Sequence, residues 1–226
     1  MRPSDRGSEP ETFTAAELMA EKLPPVRWVV PGFLPEGVTL LAGKRKPEKS
    51  WLALGLALAV ASGGAALGTR PVESGEVLYL ALEDNRRRLQ KRLAKLLGGD
   101  AAPGGLHIAT QWPRMDEGGA EALDGWIEAR GDLLLVVVDI LKRVRPRTSP
   151  NRSVYEADYE ALQAMQGLAG EHGVGVLVVH HARKDGASDP VDEISGSTGL
   201  SGGADSILVL KRDRGRAPTC TSRAAR

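Results

Sequence analysis

The sequence predicts an α/β fold, a mostly parallel sheet with helices on both faces. Three observations carry this. Short apolar runs alternate with longer runs of helical character along most of the 226 residues. Two of the short runs, LLLVVV at 133–138 and VGVLVV at 174–179, are apolar without alternation, as strands covered on both faces are. A glycine-to-lysine loop pattern also stands between the first apolar run, 38–42, and the helix after it.

Element by element, residues 1–13 are polar and read as a tail, and 1–24 as a flexible N-terminal segment. A short helix is expected over 14–21, with Thr14 as N-cap and Glu17 three residues on. LPPVRWVVPGFLPEG is a Pro/Gly-punctuated approach to one domain spanning 25–226. Strands are expected at 38–42, 76–82, 106–109, 133–138, 174–179 and 206–210. Helices are expected at 50–62, 85–97, 120–129 and 155–171. The 50–62 helix is apolar nearly all round and so buried. The 85–97 helix sets Leu89, Leu93, Leu96 and Leu97 against many Arg and Lys residues. The tail APTCTSRAAR shows no strand pattern and reads like an out-of-frame ending, altered after about 216.

Thirty basic residues face 29 acidic ones, so overall charge makes no case for nucleic acid and any such case must be local. Cys220 is the single cysteine, which excludes an internal disulfide framework and a multi-cysteine zinc site. The run 51–67 comes nearest to a membrane span, but it is short and Gly/Ala-rich. The N-terminus shows no signal-peptide core, and a cytoplasmic protein with no membrane partner is expected.

The loop reads Gly43-Lys44-Arg45-Lys46-Pro47-Glu48-Lys49-Ser50, followed by Trp51. Against the phosphate-loop pattern G-x-x-x-x-G-K-S/T, Gly43, Lys49 and Ser50 are in register and Glu48 replaces the second glycine. Such a loop turns backbone N–H groups toward a phosphate, and glycine leaves that approach open. A carboxylate there repels the anion it should cradle. A chance Lys-Ser at a helix start is the plain alternative. Either the loop is degenerate, or a base lost after Lys44 and one gained before Lys49 have rewritten a Lys-Pro-Lys-Ala-Gly segment.

The run 133–138 ends in Asp139, where a carboxylate at the C-terminal edge of a sheet can hold Mg²⁺ through water beside Ser50. It could equally cap a turn. Glu83 and Asp84 end another strand: Asp84 reads as the cap of the next helix, and Glu83 as the group that orients an attacking water. His180 and His181 end a third, as a γ-phosphate sensor or a packed pair. Adjacent strand residues point to opposite faces and no third ligand is apparent, which argues against a metal there. Two polar loops follow strands. The loop at 142–152 carries Lys142, Arg143, Arg145, Arg147 and Arg152, and the one at 183–204 opens with Arg183 and Lys184. Both suit a phosphate backbone or a solvated charge run, without aromatic residues to stack bases.

The blocks GKRKPEKSWLALGLALAVASGG, GEVLYLALEDNRRRLQKRL, LLLVVVDILKRVRPR, VLVVHHARK and ISGSTGLSGGADSILVLKRDRG resemble, in order and spacing over 35–215, the RepA-type branch of RecA-like hexameric replicative helicases, ATPases related to the AAA family. The resemblance implies a RecA-like P-loop fold that uses ATP and Mg²⁺. It implies that Lys49 contacts the β- and γ-phosphates, that Ser50 and Asp139 serve the metal, and that Glu83 activates water. His181 would sense the γ-phosphate, and Arg212 would reach the neighbouring subunit's nucleotide. It further implies a homo-hexamer, with single-stranded DNA in a channel faced by Arg143, Arg145, Arg147, Arg183 and Lys184. The family continues past KRDRG with further strands, so the tail implies an exposed sheet edge and a chain that is largely monomeric or aggregation-prone. Three readings compete: a DNA-linked ATPase motor, a nucleotide-impaired DNA-binding or regulatory module, and a decayed fragment of such a helicase.

Overall fold

The computed structural model describes residues 12–43, 48–181, 200, 202–211 and 219–224. Helix α1 (Ala15–Ala20) opens with the expected capping box: the Glu17 amide donates to Thr14 Oγ1 and the Thr14 amide donates to the Glu17 carboxylate. No residue of α1 is buried. A hairpin of β1 (Trp28–Val30) and β2 (Leu34–Pro35) leads into β3 (Gly37–Gly43) and α2 (Glu48–Ser62). A second hairpin, β4 (Gly64–Ala66) and β5 (Arg70–Val72), precedes β6 (Glu76–Ala81), α3 (Arg86–Leu97) and β7 (Leu106–Ala109). A π-helical turn, Met115–Gly119, runs into α4 (Ala120–Glu128). Then come β8 (Leu133–Asp139), α5 (Leu141–Val144), α6 (Val154–His172), β9 (Gly175–His181), β10 (Ser206–Lys211) and β11 (Thr219–Ala224).

The seven-stranded sheet runs β11-β10-β3-β9-β8-β6-β7, parallel throughout except for β11. All seven residues of β8 are buried, which is why its sequence lacks alternation. Side chains still alternate between two cores. Leu40, Leu80, Val138 and Val178 face α4 and α6, while Leu41, Tyr79, Val137 and Val179 face α2. Parallel strands place the C-terminal ends of β3, β6, β8 and β9 along one edge. Among the described residues, no helix is long and apolar enough to cross a membrane.

Three expectations need correction. The tail is not without a strand: residues 219–224 pair antiparallel with β10, Leu210 opposite Cys220, and cover the edge expected to be exposed. A ready row of β10 backbone groups supplies the pairing, and Thr219 and Thr221 suit a strand, but six residues are too few to read as a pattern. Asp84 does not cap α3. Asn85 does, its side chain accepting from the Arg88 amide at 3.0 Å. Helix α2 begins at Glu48, two residues before its expected start at Ser50. A carboxylate in the first turn faces the positive end of the helix, so Glu48 favours the earlier start.

Cys220 packs half-buried against the α2-side core, and burial pushes its thiol up to about 11. At pH 8 the thiolate, the reactive form, is therefore scarce in the folded chain and rises only as pH approaches 11. Labelling by a disulfide reagent at pH 8 is expected to be at least ~10-fold slower in the native chain than in denaturant. Equal rates would show that β11 does not dock.

Candidate functional site

Because side chains alternate along each strand, Tyr79, Asp139 and His181 fall on the α2 side of the sheet edge, and Glu83, in the turn just beyond β6, lies near His181. The first turn of α2 brings Lys49 and Ser50 to the same place. Lys49 is 1% exposed, and its ammonium donates to the Gly43 carbonyl at 2.9 Å. Ser50 hydrogen-bonds the Asp139 carboxylate, and Tyr79 Oη donates to Asp139 Oδ2 at 2.8 Å. Glu83 stands across this group, half in solvent, 3.9 Å from His181 Nε2 and 3.8 Å from Arg143 Nε. Gly43 cannot carry a side chain, since a Cβ there would lie 2.6 Å from the Leu210 carbonyl of β10.

Burial pushes Lys49 down to about 8, with Asp139 and Glu48 holding it up. It pushes Asp139 up, opposed by the bonds from Ser50 and Tyr79. Burial, then the neighbouring Asp139 charge, raises Tyr79 well above its ordinary value, so the phenol keeps its proton and remains the donor. His180 points to the opposite face, toward Asp158 and Arg145, and burial holds it below the usual histidine range.

One turn away, Asp84 is held by two arginines of α3, Arg88 Nε and Arg92 Nη1, each at 2.6 Å. Arg88 also donates to the Glu83 carbonyl at 3.0 Å. Arg92 and Lys95 lie 5.5 Å from the ring centre of Trp51, tying α3 to α2. The turn that presents Glu83 is thus fastened from below.

A serine hydroxyl beside a carboxylate is the hard-oxygen pair that suits Mg²⁺, and a buried ammonium next to it suits a phosphate. Glu48 is the dissenting group, half-buried beside Lys49 where the motif has glycine.

This chain belongs to the AAA domain family AAA_25. The family model matches residues 4–187. The fold is RecA-like, as in three solved structures. The chain is similar to a solved ATPase domain, with 16% identity, a TM-score of 0.60, and coverage of 84% of this chain and 81% of that one. A DnaB-like replicative helicase, described with its interactions with primase, gives 14% identity, a TM-score of 0.63, and coverage of 92% and 64%. A KaiC-like protein from Pyrococcus horikoshii OT3 gives 15% identity, a TM-score of 0.56, and coverage of 89% and 90%.

In this AAA domain the loop residues Lys44, Arg45, Lys46 and Pro47 lie outside the described residues, as do Arg183, Lys184 and Arg212. The basic segment after β8 divides. The side chains of Arg143 and Arg147 are 57% and 75% exposed, Arg147 pairing with Glu117 at 3.0 Å. Arg145 turns inward instead, 14% exposed, to meet Asp158 of α6, 2% exposed, at 2.7 Å. It is a structural ion pair, not a solvated charge. Residue-by-residue reading missed Tyr79, Arg92 and Asp158. For Tyr79 a signal existed: it is the only hydroxyl in an apolar strand, and a buried phenol needs a partner.

Proposed function

We propose that this AAA domain binds ATP with Mg²⁺ and hydrolyses it as part of a DNA-remodelling motor or replicative helicase of a plasmid, phage or related element. The observation that carries this is the cluster of Lys49, Ser50, Asp139 and Glu83 at one sheet edge, with Lys49 buried and Asp139 held by two hydroxyls. Lys49 would bind the β- and γ-phosphates, while Ser50 and Asp139 would hold Mg²⁺, directly and through water. When bound, the metal neutralises charge on the phosphates. Glu83 would take the proton of the attacking water, and His181, beside it, would report the γ-phosphate to the segment that follows β9. In a ring, Arg212 would serve the neighbour's nucleotide. Arg143 and Arg147, both exposed after β8, would meet single-stranded DNA.

Glu48 favours a second reading, a nucleotide-impaired DNA-binding or regulatory module. The two separate in one titration. Glu48→Gly is expected to tighten binding of a fluorescent ATP analogue with Mg²⁺ by at least ~10-fold, since it removes a negative charge beside the phosphate path. Phosphate release should rise with it. Equal affinity in both forms would show that Glu48 does not obstruct the loop. No hydrolysis by the Glu48→Gly form would favour the second reading.

A further inference from the structure

Helix α3 carries Arg86, Arg87, Arg88, Lys91, Arg92 and Lys95 and no acidic residue. That is six of the chain's 30 basic residues and none of its 29 acidic ones, so the rest of the chain is net acidic and the positive charge is concentrated here. Leu89 is the one buried residue, and Leu93 packs beside it against the α2-side core. At 100° per residue, that stripe leaves Arg87 and Lys91 on the opposite crest, both exposed, with exposed Lys95 at its margin, leaning toward Trp51 of α2. Arg87 and Lys91 stand four residues apart, about 6 Å along the helix, with Arg86 next to the first.

Arg88 and Arg92 have a structural task, holding Asp84. Among the described residues, Arg86, Arg87 and Lys91 form no ion pair. Like charges at four-residue spacing weaken a helix. This one is held regardless by its Asn85 cap, the left-handed Gly98 at its end and the Asp84 clamp. Exposed cations about 6 Å apart with no carboxylate beside them match the spacing of neighbouring phosphates along a nucleic-acid backbone. Helix α3 itself carries no aromatic side chain to read or stack bases, so a nucleic acid on this crest would be held through phosphate, independent of sequence. We propose that the crest of α3 is a nucleic-acid phosphate-backbone contact, separate from the segments after β8 and β9. It does not depend on the nucleotide reading of the sheet edge.

The test uses the full chain, a fluorescein-labelled oligothymidylate and a labelled duplex, with anisotropy measured over a salt series. Three double variants are compared: Arg87→Glu/Lys91→Glu, the neutral Arg87→Gln/Lys91→Gln, and Arg143→Glu/Arg147→Glu. Reversing the crest is expected to weaken binding at least ~10-fold and lower the log–log salt slope by about 1.4 on the single strand, two lost contacts. The neutral pair should change the slope similarly with a smaller loss of affinity, and it keeps the test open if the reversed pair unfolds. Loss on the single strand alone, or on both probes, supports the proposal and identifies which backbone is held. Unchanged affinity and slope in both crest variants overturns it. If the Arg143/Arg147 pair alone loses binding, the crest is excluded while the reading of the β8 segment survives. Absence of binding to either probe by the unaltered chain also overturns it. So does displacement by polyglutamate as effective, charge for charge, as by oligonucleotide, which would assign the crest to an acidic protein.

Discussion

In a Glu48→Gly background, Glu83→Gln is expected to reduce nucleotide hydrolysis by at least ~10²-fold while nucleotide affinity is retained. The loss corresponds to about 2.7 kcal/mol of transition-state stabilisation. The amide has the size and polarity of the carboxylate and can keep its place between His181 and Arg143, but it cannot accept a proton. Its separation from Lys49, Ser50 and Asp139, on another strand of the same edge, is why binding should survive. Phosphate release and an analogue titration on the same samples check both halves. Surviving turnover would move the base elsewhere. Asp84 is a poor substitute, because both of its oxygens are already engaged by Arg88 and Arg92 at 2.6 Å.

Arg145→Ala is expected to cost about 3–5 kcal/mol of stability, the usual penalty for stranding one half of a buried ion pair. Against a total of about 5–15 kcal/mol for a domain, that is enough to lower the yield of soluble chain. Asp158 is 2% exposed and its carboxylate meets Arg145 at 2.7 Å, so without the guanidinium the charge is buried beneath α6 with no compensation from that side. Asp158→Ala should cost a similar amount. Arg145→Met with Asp158→Leu should recover most of the loss, since an apolar pair of similar volume asks for no solvation. Urea unfolding of the four proteins measures it. A stable Arg145→Ala chain that has lost only nucleic-acid binding would return Arg145 to the role its neighbours suggested.

That arginine shows where sequence reading stops. Within KRVRPR every cation looks alike, because composition treats the run as one solvated stretch. Only the packing of α6 over β9 singles out the third. Asp158 was invisible for the same reason: between Glu156 and Glu160, one acid more in a helix reads as surface. The strands, by contrast, were legible almost to the residue, since both faces of the sheet are covered and the apolar runs are continuous. The order of Lys49, Glu83, Asp139 and His181 was also legible: alternation carried Asp139 and His181 to the α2 side, the first turn of α2 brought Lys49 there, and the turn after β6 brought Glu83. The two hairpins were not, being three-residue strands or shorter, marked by glycine and proline. Strand β11 was hidden because its pairing is dictated by β10 and not by its own side chains.

Alternation in the sheet also sets what kind of genetic change the edge tolerates. Val137 and Asp139 share a face only because one residue separates them, and the same holds for Val179 and His181. Deleting a single codon within β8 or β9 would carry the terminal side chain through the sheet to the α6 side, where it would enter an apolar core. A two-codon deletion would keep the face but withdraw the group by one pleat. Substitutions along these strands are therefore graded in effect, whereas changes of length are all-or-none, and odd and even changes fail in different ways.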